Sequence, residues 1–203
     1  MIDSTRYRCL GEILRDALIQ FKPETAMIEV SRRRETRRLT YLQAKHAAVP
    51  QIRRLRERGV VSGSRVAMLM ANQSRWLLGA YAALHRGAVR VPLDYKLTPG
   101  EQAALLAHCR PEVLFVDYGL WRRLPALDVP TVIVVEAPDG ADLGTALRWE
   151  AVSPGDEPEL VLRERDDVAT IVYSSGTGGT PKGIAYSLSN IFVVRSALLT
   201  SHR

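Results

Sequence analysis

A short stretch rich in glycine, serine and threonine, residues 173–183, contains the residue types that bind phosphate groups. It reads Tyr-Ser-Ser-Gly-Thr-Gly-Gly-Thr-Pro-Lys-Gly. Glycines permit backbone angles and close approaches that side chains would block, and consecutive backbone N–H groups in such a turn can form an anion-binding concavity. Hydroxyl groups add donors, and the lysine adds a positive charge. The predicted phosphate-binding residues are Ser174, Ser175, Gly176, Thr177, Gly178, Gly179, Thr180, Lys182 and Gly183.

The two common nucleotide-binding motifs do not describe this stretch. A Walker loop needs Gly, four residues and then Gly-Lys-Ser/Thr before a helix. Here Pro181 stands in place of the second glycine, and Gly183 in place of the hydroxyl residue that would hold magnesium. The dinucleotide pattern Gly-x-Gly-x-x-Gly is also absent from the stretch. Residues 184–187 are typical of a strand, so we predict that the loop joins two strands.

Alternating apolar segments indicate the elements that position this loop. Short segments that are apolar throughout, separated by helical segments, are typical of a parallel sheet covered on both faces. We therefore predict an α/β fold, with the loop following a buried strand, where such folds bind phosphates. The predicted strands are Arg65–Met70, Ala88–Pro92, Val113–Asp117, Thr131–Glu136 and Asp167–Tyr173, and the helices between the first three are Gln73–Arg86 and Pro99–Cys109.

The remaining segments are predicted from periodicity and turn residues. Residues 7–21 have the spacing of an amphipathic helix. Thr25–Val30 and Arg37–Tyr41 are predicted to pair as a hairpin around an arginine-rich turn. Thr40 is the expected N-cap of a helix that ends near Arg58. Pro138–Pro158 is rich in proline, glycine and acidic residues, which indicates a surface excursion.

Charge and composition restrict the classes of function. The 203-residue chain has a net charge of +6, and residues 32–58 hold ten Lys/Arg against two Asp/Glu. The arginines form two groups, Arg32–Arg38 in the predicted turn and Arg53–Arg58 at the predicted helix end, where cations complement the dipole. No aromatic residues interleave with them, as a single-strand nucleic-acid platform would require. We interpret both groups as solvated surface rather than a polyanion or membrane-surface site, and we expect no nucleic-acid partner.

Further signals concern the cell compartment and catalytic side chains. No apolar run approaches the roughly 18–20 residues of a membrane span, and the N-terminus lacks the apolar core of a secretory signal. The two cysteines lie 100 positions apart, which indicates reduced thiols in a cytoplasmic protein. The four histidines have no partner motif, and we assign them no catalytic role.

The loop closely resembles the phosphate loop of the adenylate-forming superfamily, which includes acyl-CoA synthetases, the adenylation domains of peptide synthetases and firefly luciferase. That pattern reads Tyr/Phe-Thr/Ser-Ser-Gly-Thr/Ser-Thr-Gly-x-Pro-Lys-Gly, and ten of its eleven positions match, with Gly178 at the exception. After the loop the family often has Thr-His, where this chain has Ser187-Leu188. Four further segments are similar to the family, namely Leu39–Leu42, Gly63–Asn72, Gly87–Leu93 and Leu97–Glu101.

The resemblance implies a reaction in two halves. A carboxylate attacks the α-phosphate of ATP to give acyl-AMP and pyrophosphate, and a thiol then accepts the acyl group. Thr177, Thr180 and Lys182 would donate to phosphate oxygens, and the loop glycines would allow the backbone to approach. The implied substrates and cofactors are a small carboxylic acid, ATP, Mg²⁺ and CoA or another thiol. A fatty acid is the favoured substrate, and the alternatives are an amino-acid or aryl-acid adenylation domain or a non-catalytic remnant that binds nucleotide or a partner.

The resemblance also implies which parts of such an enzyme lie elsewhere. Residues 1–203 correspond to the N-terminal segment of the AMP-binding domain, with the phosphate loop at 173–183. The adenine and ribose motifs, the magnesium-binding glutamate and the catalytic lysine of a C-terminal domain come later in such proteins. We therefore expect a fragment, a truncated gene product or a split subunit, with no catalytic residue of its own. Activity would need the missing remainder or a complementary subunit.

Overall fold

The computed structural model describes residues 6–152, 155–174 and 181–191. Its helices are α1 (Leu10–Gln20), α2 (Tyr41–Glu57), α3 (Ser74–His85), α4 (Pro99–Cys109) and α5 (Tyr118–Trp121). Its strands are β1 (Thr25–Ser31), β2 (Arg34–Thr40), β3 (Arg65–Leu69), β4 (Val89–Pro92), β5 (Val113–Asp117), β6 (Thr131–Val135), β7 (Leu147–Arg148), β8 (Val168–Ser174) and β9 (Lys182–Ser187). The predicted strands and long helices are confirmed, with ends that differ by a few residues.

Seven strands form the central sheet in the order β7-β6-β5-β3-β4-β8-β9, and β1 and β2 form a separate hairpin. Within the described ranges, every pairing in the large sheet is parallel except that of β8 with β9. Parallel strands need crossover connections, and helices supply three of them here, α3, α4 and α5. The predicted α/β class is therefore confirmed.

The apolar strands bury both of their faces because helices cover the sheet on each side. Val66 and Met68 of β3 pack with α1, α2 and α3 in one core cluster. Ala67 and Leu69 of the same strand pack with α4 and α5 in a second cluster. Successive side chains of a strand point to opposite faces, so one short apolar segment contributes to both cores.

Two helices begin with reciprocal capping hydrogen bonds. Thr40 accepts a bond from the backbone N–H of Gln43 at 3.2 Å, and the Gln43 side chain accepts one from the Thr40 N–H at 2.8 Å. Thr98 and Glu101 form the equivalent pair at the start of α4. Each box satisfies two donors that a helix start otherwise leaves unpaired. The predicted N-cap at Thr40 is confirmed.

The prediction of a surface excursion over Pro138–Pro158 is wrong in its middle. Leu147–Arg148 form β7, which adds to the sheet beside β6. The next residue, Trp149, is only 7% exposed and packs 5.3 Å from the ring of Phe115. Its backbone N–H donates to the carbonyl oxygen of Val134 at 2.9 Å. A single large aromatic side chain thus draws this polar segment against the core, and average composition does not reveal that.

The second arginine group is also not uniformly solvated. Arg54 is 5% exposed, and its guanidinium donates to the carbonyl oxygens of Arg148, Trp149 and Ala151. Burial lowers the pKa of Arg54. The side chain therefore ties α2 to the segment that follows β7. Of the other arginines in the group, Arg53 is half-buried, and Arg56 and Arg58 are exposed.

The first arginine group lies in the β1–β2 hairpin as predicted, but only Arg32 and Arg33 form its turn, and the other arginines of the group belong to β2. Residues 30–36 are exposed. No helix in the described part of the chain is both long and apolar enough to cross a membrane.

Candidate phosphate-binding site

The base of the predicted phosphate loop is an antiparallel ribbon. β8 ends at Ser174 and β9 begins at Lys182. In the register, Tyr173 lies opposite Gly183 and Ser174 lies opposite Lys182. The prediction that the loop joins two strands is confirmed. The predicted loop residues Ser175, Gly176, Thr177, Gly178, Gly179 and Thr180 lie outside the described residues.

A tyrosine–histidine contact anchors the end of β8. The hydroxyl of Tyr173 lies 2.7 Å from Nδ1 of His108, near the C-terminal end of α4. The two rings also meet edge to face, with centroids 5.5 Å apart. Burial raises the pKa of Tyr173, so the side chain stays a neutral phenol near neutral pH. The contact holds the last turns of α4 against the strand that leads into the loop.

Gly183 has little room for a side chain beneath that tyrosine. A Cβ at this position would lie 3.0 Å from Cγ2 of Ile171 and 3.4 Å from Cε1 of Tyr173. The aromatic ring thus covers the glycine across the strands, an arrangement that stabilises glycine in a strand. The first and last residues of the eleven-residue stretch therefore form one cross-strand pair that closes the loop.

Ser174 and Lys182 project from one face of the ribbon, because residues directly opposite each other share a face. Both are exposed. Two residues further from the loop, Val172 and Ile184 form the next pair on that face, and they are 40% and 46% exposed. The hydroxyl and ammonium groups that could meet a phosphate therefore stand beside a small exposed apolar patch.

The crevice at the strand-order reversal of the sheet is filled by a side chain of the protein itself. β4 and β5 lie on opposite sides of β3, so the order of the strands reverses at β3 and β5. In such sheets, ligands commonly bind at the carboxyl ends of the strands beside the reversal. There Asp117 accepts hydrogen bonds from the Ala71 N–H at 2.7 Å and from Nε2 of Gln73 at 2.8 Å. Burial raises the pKa of Asp117. The candidate site lies instead on β8, two strands away from β3.

A half-buried cation next to β8 was missed by the sequence reasoning. Arg90 of β4 pairs with Thr170 of β8, whose hydroxyl donates to the Arg90 carbonyl at 3.0 Å. The guanidinium lies 5.4 Å from the centre of the Trp76 ring, and its Nε has no hydrogen-bond partner. Burial lowers the pKa of Arg90. The available signal was an arginine inside the otherwise apolar segment Gly87–Leu93.

Leu188, which stands where the resembling family often has histidine, is a core residue. It is 1% exposed. Next to it, the side-chain oxygen of Asn190 accepts hydrogen bonds from the N–H and the hydroxyl of Ser187, both at 3.0 Å. Position 188 therefore contributes packing here, and no titratable group.

The residues in the described ranges include no group of three or more His, Cys, Asp or Glu side chains that could hold a metal ion. In these ranges the groups of the predicted site that are available for phosphate are the Ser174 hydroxyl, the Lys182 ammonium and backbone N–H groups.

Comparison with known proteins shows the family of the chain. The family model described as AMP-binding enzyme matches residues 14–202. The chain is 33% identical over 143 residues to the L-proline–[L-prolyl-carrier protein] ligase of Streptomyces coelicolor, a match that covers 66% of this chain and 27% of the relative. It is 30% identical over 168 residues to the 2-succinylbenzoate–CoA ligase of Bacillus velezensis, covering 81% of this chain and 32% of the relative.

A solved structure gives the same result for the fold. The anthranilate CoA ligase AuaEII, in complex with anthranoyl-AMP, superposes with a TM-score of 0.74 at 25% identity, covering 92% of this chain and 36% of that one. The chain thus spans about a quarter to about a third of these proteins. The family model matches residues 14–202, the strands on either side of the predicted phosphate loop pair with each other, and the fold is shared with a ligase of known structure. The chain therefore belongs to the AMP-binding enzyme family of adenylate-forming proteins.

Proposed function

We propose that residues 1–203 form the N-terminal segment of an ATP-dependent ligase that activates a carboxylic acid as acyl-AMP and passes the acyl group to CoA. The observation that carries this proposal is the closed base of the loop, where Ser174 and Lys182 stand opposite each other at the end of β8. Relatives named as acid–CoA and acid–carrier-protein ligases support the same reaction class.

In this proposal the loop grips the β- and γ-phosphates of ATP while the reaction takes place at the α-phosphate. A carboxylate oxygen of the acid forms a bond to the α-phosphorus, and the bond from that phosphorus to the bridging oxygen breaks. Pyrophosphate leaves with the electron pair. Phosphoryl chemistry of this kind depends on positioning and on stabilisation of developing charge. Lys182 would supply a charge at the leaving group, and the loop N–H groups and the hydroxyls of Thr177 and Thr180 would supply donors.

The ribbon would keep these donors in place. Tyr173 is held by His108, and Gly183 lies beneath its ring, so the two ends of the loop are fixed relative to each other. A preorganised loop does not have to reorganise as charge moves onto the leaving group. Magnesium, when bound, would neutralise phosphate charge, and we assign no residue of the described part to it.

For the acid we propose a fatty acid first. Exposed Val172 and Ile184 on the face of Lys182 give an apolar surface next to the loop, which suits an aliphatic substrate. An amino acid or aryl acid is the second candidate, because relatives include a proline–carrier-protein ligase and an anthranilate CoA ligase. The acceptor thiol would be CoA in the first case and a carrier-protein thiol in the other.

The test is binding of pyrophosphate and ATP to the chain by isothermal titration calorimetry, with Lys182→Ala and the exposed Lys22→Ala as a matched control. A hydrogen bond to a charged group contributes about 1.5–3 kcal/mol, so Lys182→Ala should weaken binding about tenfold to a hundredfold. Lys22→Ala should leave binding unchanged. Equal affinity of the two variants would refute the assignment of the loop.

Turnover is measured separately by exchange of labelled pyrophosphate into ATP in the presence of fatty, aryl or amino acids. We propose that this chain binds phosphate but supports no exchange alone, since its adenine and metal groups lie elsewhere in the family. Exchange that depends on one class of acid would contradict the proposal that the chain is inactive alone, and it would identify that class as the substrate. Absence of any nucleotide or pyrophosphate binding would contradict the function as a whole.

A further inference from the structure

The β1–β2 hairpin ends in three consecutive arginines, Arg32, Arg33 and Arg34, which we name the basic tip. The hairpin is a two-stranded sheet separate from the central one. Its middle is attached to the N-terminal end of α3, where Glu29 accepts a bond from the Ser74 N–H and Arg37 donates to the Ser74 hydroxyl. Beyond this attachment, residues 30–36 are exposed. The basic tip is therefore free to contact another surface.

The geometry of the turn does not account for the arginines. Ser31 pairs with Arg34, so Arg32 and Arg33 form a two-residue turn. Both have positive φ angles, 47° and 64°. A hairpin turn with positive φ at both central residues favours Asn-Gly, because these residues adopt the left-handed region at little cost. Long side chains on L-residues are disfavoured there, and two adjacent like charges repel each other. The property that separates Arg32 and Arg33 from the residues that this turn favours is their positive charge.

Within the described part of the chain, the charges of the basic tip have no carboxylate paired with them. Among the residues that the structure describes, no carboxylate forms an ion pair with Arg32, Arg33 or Arg34. Glu35, the acidic residue next in sequence, is engaged by Arg38 through two hydrogen bonds of 2.8 and 2.6 Å. Three guanidinium groups are therefore available to an anionic partner.

On one face of the hairpin behind the basic tip, two aliphatic side chains are exposed beside the ion pair of Glu35 and Arg38, the residues that lie opposite them in the register. Val30 is 63% exposed and Ile28 is 48% exposed. The two residues are two positions apart on β1 and so project from the same face. Positive charges next to exposed aliphatic side chains match the two layers of a bilayer interface, the phosphate headgroups and the boundary of the acyl chains.

The sequence pattern favoured a solvated surface for this arginine group, but with the geometry of the hairpin in view we propose that the basic tip and the Val30–Ile28 face form a docking surface for an anionic lipid bilayer. Guanidinium groups bind phosphate oxygens in pairs, and each basic side chain near an anionic leaflet strengthens attachment. Nucleic acid fits this surface less well, because residues 25–40 contain no aromatic side chain on which bases could stack. The exposed aliphatic side chains also gain nothing from a phosphate backbone.

The test is co-flotation of the chain with lipid vesicles. Vesicles of phosphatidylcholine with about 30% phosphatidylglycerol carry the anionic headgroups, and vesicles of phosphatidylcholine alone are the neutral comparison. The turn variant Arg32→Asn/Arg33→Gly removes two charges and installs the residues that the turn geometry favours. Its fold should therefore be as stable as that of the unaltered chain, which a thermal unfolding curve checks. The control Arg56→Gln/Arg58→Gln removes the same charge from the exposed end of α2.

Binding should require the anionic vesicles and fall as salt is raised. At about fivefold per arginine, the turn variant should bind about 25-fold more weakly, while the control should change binding less than about threefold. Val30→Ser should also weaken binding, by about fivefold to tenfold, because it removes apolar burial. Equal binding to neutral vesicles would overturn the proposal, as would unchanged binding by the turn variant. Binding to a DNA duplex without binding to vesicles would overturn it in favour of nucleic acid.

Discussion

A buried histidine should make the stability of this protein depend on pH. His85, at the end of α3, is 1% exposed. Its Nε2 lies 3.4 Å from a carboxylate oxygen of Glu157, and the other oxygen of that carboxylate is bound by Lys45 of α2. The ring of Tyr81 meets the imidazole edge to face. The segment containing Glu157 leads towards β8, so this cluster also fastens the approach to the candidate site.

The pKa of His85 sets the size and sign of the effect. The pKa is lowered from 6.5 to about 4, with burial as the largest cause; Glu157 opposes the shift, and the nearby cations Arg86, Arg15 and Lys45 add to it. The unfolded chain takes up a proton below its ordinary pKa, and the folded chain does so only near pH 4. Stability from the neutral imidazole is therefore present above about pH 6.5 and is lost as the pH falls towards 4. The full loss is about 3 kcal/mol at 1.36 kcal/mol per unit.

The assay is urea unfolding of the chain and of His85→Gln, whose side chain does not titrate, between about pH 7.5 and pH 4.5. The difference between the two proteins removes the contribution of the carboxylates. Relative to the variant, the unaltered chain should lose about 1 kcal/mol by pH 5.5 and between about 2 and 3 kcal/mol by pH 4.5. Proton NMR of the imidazole should give a pKa well below 6.5. A constant difference across this range, or titration of His85 near 6.5, would refute the reasoning.

Three further substitutions test other parts of the structure. Arg54→Met should lower the free energy of unfolding in urea by about 2–4 kcal/mol, because it leaves buried carbonyls unpaired. The control Arg56→Met, at an exposed position, should change it by less than about 0.5 kcal/mol. Similar values for the two variants would contradict the role of Arg54. Arg90→Met should be neutral or stabilising in the same assay, since a half-buried cation with no counter-ion in the described part of the chain is costly. A loss above about 2 kcal/mol would show that Arg90 has a partner that matters. Gly183→Val should weaken pyrophosphate binding in calorimetry by forcing apart the strands at the loop base, and unchanged affinity would show that this close packing is unnecessary.

Local patterns in the sequence predicted a large part of this structure. The apolar segments 65–70 and 113–117 are strands because short runs of this kind suit a sheet that is buried on both faces. Thr40 caps α2 because its partner Gln43 is only three residues away. The loop and its Pro-Lys-Gly end also marked the family, which the match over residues 14–202 confirms.

Contacts between residues far apart in the chain could not be predicted from local sequence patterns. Trp149 in a polar segment and Arg54 in a basic group have the types and neighbours of surface residues, yet they meet in the core, 95 positions apart. His108 has no partner motif along the chain, and its partner Tyr173 is 65 positions away. Glu157 meets His85 and Lys45 only because α2, α3 and the segment before β8 come together. Each of these pairings depends on the relative placement of whole elements.

The sequence by itself determined the class of fold and predicted a phosphate-binding role for the eleven-residue loop, because the residue types of such a loop are adjacent in the chain and apolar periodicity is a local property. Tertiary structure alone decided which buried polar groups have partners. Arg54 donates to three carbonyl oxygens, Tyr173 contacts a histidine, and Arg90, among the described residues, lies over an aromatic ring without an ion-pair partner. The physical reason is that a buried polar group is stabilised or penalised by the atoms packed around it, and those atoms come from distant parts of the chain.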